Sequence, residues 1–84
     1  MSKINHMKKL RNTAAWMERK QDDLRNIADA MMDMAAQDRR HAMRFYEIAQ
    51  RATQAADLLF EGVTTLHQEV NDIAAMSLEE FRDV

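Results

Sequence analysis

The chain has 84 residues, a formal net charge of −2, a hydrophobic fraction of 46%, one glycine, no proline and no cysteine. The missing cysteine excludes a disulfide framework, a thiolate zinc site and a thiol nucleophile. The near absence of turn formers, with Ala, Met, Leu, Gln, Glu, Arg and Lys abundant, excludes a sheet protein and predicts an all-α chain. Eighty-four residues make one domain, near the size at which a single core leaves only a small stability margin.

The dominant pattern is a seven-residue repeat running almost the length of the chain. Positions Met7, Ala14, Gln21, Ala28, Ala35, Ala42, Ala49, Ala56, Val63 and Val70 form one line (a). Leu10, Met17, Leu24, Met31, Asp38, Phe45, Ala52, Leu59, Leu66 and Ile73 form the other (d). Eighteen of these twenty are apolar, far above the chain average, so the repeat predicts helix packed on helix.

In chain order, the first predicted helix covers about 3–36. Its opening segment, Met1 to Arg11, is charged and contains no apolar run of signal-sequence or membrane-spanning length, so a cytoplasmic chain is expected, with signal-independent export also compatible. Residues 1–20 carry six Lys and Arg against one acid. Trp16 falls outside the seam at a c position, beside Lys9, Asn12, Arg19 and Lys20; an aromatic at an outer position among cations suits a protein contact, and Trp16, Lys9 and Lys20 are candidate partner-binding residues. The stretch Lys20 to Asp23 is a secondary candidate break.

The main break is expected at 37–41, Gln37-Asp38-Arg39-Arg40-His41, where the seam fails at Asp38 almost midway along the chain. Asp38 can cap a second helix through its carboxylate. A single unbroken helix would be about 125 Å long and would need an extended coiled-coil dimer. A hairpin instead pairs a with d positions whose numbers sum to about 80, setting Ala14 on Leu66, Leu24 on Ala56 and Ala35 on Phe45, large against small. It also lays the basic first twenty residues beside 57–84, which carry seven acids and one arginine.

The second predicted helix covers 42–76. Gly62, followed by Thr65 and Gln68 at capping-box spacing, marks a further candidate break or kink. Ser77 and Glu80 repeat that spacing and predict a short terminal turn over 77–84 that carries Leu78, Phe81 and Val84; Phe81 is a fourth candidate partner residue. Arg40, Arg44 and Arg51 form an outer ridge, with Glu47 within helical ion-pair reach.

Beyond the seam, Ile27, Met34, Ile48 and Ala55 at g and Met32, Tyr46 and Phe60 at e widen the apolar arc. An apolar surface left uncovered on a hairpin marks an interface. Ile27, Met32, Met34, Tyr46, Ile48 and Phe60 are the candidate self-association residues, and two hairpins face to face would make a four-helix bundle or a larger helical oligomer.

Chemistry is not signalled. Met31, Met32, Met34 and Met43 cluster about His41, but methionines at helical spacing suit core and interface packing. His6, His41 and His67 lack metal-ligand spacing, and Asp38 with His41 is a single carboxylate–imidazole pair where di-iron bundles need two and more carboxylates. No Gly-rich phosphate loop occurs. No cofactor, metal or enzymatic activity is expected. The expected partners are a second copy of the chain (a homodimer or higher) and another helical protein, with no membrane. The resulting expectation is a non-enzymatic helical self-association and protein-binding module, such as an adaptor, a small chaperone or a part of a secretion or phage machine. The alternative is a small four-helix-bundle RNA- or DNA-binding regulator; net negative charge weighs against it. Type III secretion needle subunits and WXG-type secreted proteins form hairpins of about this length. Here, however, Trp16 is followed by Met17 and Glu18 rather than by a Trp-x-Gly turn, and no proline stands in the break, so neither family's residues carry over.

Overall fold

A computed structural model describes residues 2–77. It is an antiparallel helical hairpin: α1 spans Lys3–Gln37, a 3-10 turn spans Arg39–His41, and α2 spans Ala42–Ala75. The chain forms a rod, with a radius of gyration of 18.8 Å against about 12 Å for a compact chain of this length.

The seam obeys the heptad without exception. Every a and d position from Met7 to Ile73 is buried or half-buried, including the two polar intruders Gln21 and Asp38. The two lines divide the work. The fully buried set is Ala14, Ala28, Ala35, Ala49, Ala52, Ala56, Val63 and Val70, nearly all from the a line, while the larger d side chains Leu10, Met17, Leu24, Met31, Phe45, Leu59, Leu66 and Ile73 are half-buried around it. Small residues let the backbones approach closely, and the long side chains close over the sides. Leu24 and Met31 pack on the cluster Ala28, Ala49 and Ala52, as the large-on-small pairing predicts.

The two secondary break candidates are helical. Lys20 and Asp23 lie within α1 and form an i, i+3 ion pair at 3.6 Å. α2 runs through Gly62, where a methyl group would collide with the end of the Met17 side chain, so the glycine makes room for a seam methionine rather than ending a helix. Thr65 does not cap: its hydroxyl donates to the Glu61 carbonyl one turn back, at 3.0 Å, a bond open to threonine in a helix interior.

The break itself is Asp38 (φ −124°, ψ 89°). Its N–H still donates to the Met34 carbonyl, closing α1, while its carboxylate accepts from the His41 N–H at 3.3 Å and meets His41 Nδ1 at 2.8 Å. One residue thus ends α1 and caps the 3-10 turn, while α2 begins at His41 with no side-chain cap, so Asp38 does not cap the second helix itself.

At the open end Ser2 caps α1, its hydroxyl accepting from the Asn5 N–H. The last turn of α2 contains no basic residue of its own. Lys3 supplies the charge from the other helix, donating to the carbonyls of Ala74 (3.2 Å) and Met76 (2.6 Å). A cation is unfavourable at the start of α1 and favourable at the end of α2, and the side chain spans the gap to reach the better site.

Two outcomes are expected. Ala56 is 0% exposed, so Ala56→Leu should overpack the seam and cost about 1–3 kcal/mol, read as a lower urea midpoint at unchanged slope. The bond to the His41 ring holds the Asp38 carboxyl below its ordinary value. A depressed carboxyl contributes stability above its unfolded pKa, near 4, and loses it as pH falls through the folded value. Asp38→Asn keeps an acceptor but cannot titrate, so the excess in melting temperature of the parent over this variant should be full above about pH 5 and shrink toward about pH 2.

Candidate association surface

Because 100° separates successive helical residues, e and g fall on opposite sides of the a/d line. Reversing one helix about an axis perpendicular to the hairpin keeps e beside e and g beside g. The six candidate self-association residues therefore divide between two flanks: Ile27, Met34 and Ile48 on one, Met32, Tyr46 and Phe60 on the other. All six are exposed.

The flanks differ chemically. Two long-range side-chain pairs cross the e flank: Arg25 with Asp57 at 3.2 Å, and Glu18 with His67 at 3.4 Å. Phe60 (57% exposed) belongs to the same flank. The turn-proximal half of the g flank has no ion pair between helices among the described residues. Ile27, Met34, Ile48 and half-buried Ala55 line that half, exposed Leu58, at a c position, extends it, and Arg44 and Arg51 border it at c. Leu58 was missed in the sequence because it lies outside the widened arc; its signal is that c borders g on the helix surface. Met43 and Ile4, at b and e, are likewise exposed, while Met31 alone of the four clustered methionines joins the seam.

Trp16 is 52% exposed, and the Lys20 ammonium lies 5.7 Å from its ring centroid, a cation–π pairing along one helix. As c and g residues, both belong to the apolar g flank rather than to a separate surface. Lys9 is exposed on the same helix face, and Phe81 lies outside the described residues. Glu47 forms no ion pair with Arg40, Arg44 or Arg51, contrary to expectation: each prefers hydration on an exposed face, where such pairs are worth little.

An open hollow at the hairpin mouth is lined by Ser2, Lys3, Ile4, Met7 and Ala74, but its polar groups are engaged in capping. Among the described residues no three His, Asp or Glu side chains converge, and no helix is long and apolar enough to cross a membrane. Comparisons with protein-family models, curated proteins and solved structures find no match for this chain.

Since Trp16 stands outside the seam and is half exposed, Trp16→Ala should change the stability of a lone hairpin by no more than about 0.5 kcal/mol. Denaturant unfolding at sub-micromolar concentration checks it.

Proposed function

We propose that this chain is a non-enzymatic helical self-association and protein-binding module, acting as an adaptor, a small chaperone or a component of a larger helical assembly such as a secretion or phage machine. One observation carries the reading: no buried side chain among the described residues is larger than valine, while isoleucines, methionines and aromatics stand exposed beside the seam. A two-helix chain with so slight a core gains most from covering those side chains, at up to about 1.5–3 kcal/mol for each one fully buried. Packing hairpins side by side into a four-helix bundle or larger oligomer covers them. Exposed methionines on the remaining surface adapt to the irregular face of another helical protein. A nucleic-acid regulator is less well supported, because Asp23 and Asp57 are interleaved with the cations of both flanks.

Multi-angle light scattering on the full chain at micromolar concentration is expected to give a mass at least twice 9.8 kDa; a monomer throughout would sink the self-association half of the proposal. Ile48 is 39% exposed in the hairpin, so Ile48→Asp is tolerated by a monomer but leaves an unpaired carboxylate in an interface, at a cost on the order of several kcal/mol. The variant should remain helical by circular dichroism and lose the oligomer mass.

A further inference from the structure

We infer that the g flank is the dimer face and that its occupant is a second copy of this chain. The copy lies side by side with the first, turns at the same end, and α1 of each hairpin packs on α2 of the other about a two-fold axis parallel to the rod. This rests on the self-association reading above and adds the face, the partner helix and the register. Three arguments carry it.

The first is the choice of flank. Covering the e flank would strip water from the Arg25–Asp57 and Glu18–His67 pairs, and desolvating charge costs more than exposed pairs return. The turn-proximal g flank presents Ile27, Met34, Ile48, Ala55 and Leu58; the ion pair at its edge, Lys20 with Asp23 at 3.6 Å, lies within one helix, and no pair joins the two helices there among the described residues. The second is area. A flank as long as a 35-residue helix is about 52 Å at 1.5 Å per residue and about 15 Å wide, on the order of 800 Å², the share each partner contributes to a standard specific interface.

The third is complementarity of size and charge, which selects a copy in this orientation. An axis parallel to the rod allows no sliding, so residues of α1 face those residues of the partner's α2 that stand at equal height. Ile27 then meets Ala55 of the partner subunit, Met34 meets Ile48 of the partner subunit, and Trp16 comes over Gly62 of the partner subunit. At Ile27 and Ala55 large meets small, the same rule that builds the seam, while at Gly62 the indole comes over the end of the Met17 side chain that fills the glycine's space. Antiparallel hairpins centred on this patch would instead set Ile27 on Ile27 and Ala55 on Ala55, crowding one layer and leaving a void in the other. They would also bring the two Arg51 side chains together, whereas the side-by-side arrangement places Arg51 over Ala30 of the partner subunit.

The chain has no cysteine, so single-cysteine variants report the geometry directly. Full-length Ile27→Cys and Ala55→Cys are mixed and oxidised with glutathione; a disulfide needs Cα atoms within about 7 Å. The mixed cross-link is expected to form at least tenfold faster than either variant links to itself. Trp16, the single tryptophan, should shift its emission to the red as the oligomer is diluted to hairpins. Self-linking of Ile27→Cys as fast as the mixed reaction, or oligomer mass with no mixed cross-link and an unmoved Trp16 spectrum, overturns this face while leaving self-association standing. A monomeric mass at all concentrations overturns both.

Discussion

Everything in this molecule follows from how closely two helices approach when the centre of their seam is lined by alanine. Ala14, Ala28, Ala35, Ala49 and Ala56 put almost no side chain between the backbones. Residues with more bulk, such as Leu24 and Met31, therefore fold along the margins and stay half-buried. Close approach gains dispersion contacts between backbones, but it leaves little volume in which to hide large apolar groups. A chain of this composition has more apolar bulk than a two-helix seam can enclose, and the excess appears at e, g and c.

The heptad was legible because burial in a two-helix rod depends on a single angle, and a period of seven reports that angle at every turn. Even Gln21 and Asp38, which broke the chemical pattern, kept their geometric places in the seam. The turn was legible from Asp38, whose carboxylate has one obvious use between two helices. Thr65 was misread because the same hydroxyl that caps a helix can also bond back within one. Lys3 could not be read at all: its target carbonyls lie more than seventy residues away, and backbone acceptors carry no residue signature. The association surface was half legible. Exposed apolar positions follow from the register, but a linear tally of e and g residues does not show that Ile27 and Phe60 face away from each other.

That separation gives the hairpin two sides of unlike character. One side carries interhelical charge pairs to either side of Phe60, and the other gathers Ile27, Met34, Ile48, Ala55 and Leu58 toward the turn. A rod with unlike sides can engage two different neighbours without competition, which is what the proposed role would ask of it. A rod with equivalent sides would instead stack without limit.

The grip of Lys3 on the end of α2 has a dynamic consequence. Helix ends ordinarily loosen independently, each turn opening at its own low free energy. Here the first turn of α1 and the last turn of α2 are joined by one ammonium bonded to the carbonyls of Ala74 and Met76. Loosening either end withdraws the charge that holds the other, which couples the two openings by about the 0.3–1 kcal/mol that such an end charge contributes.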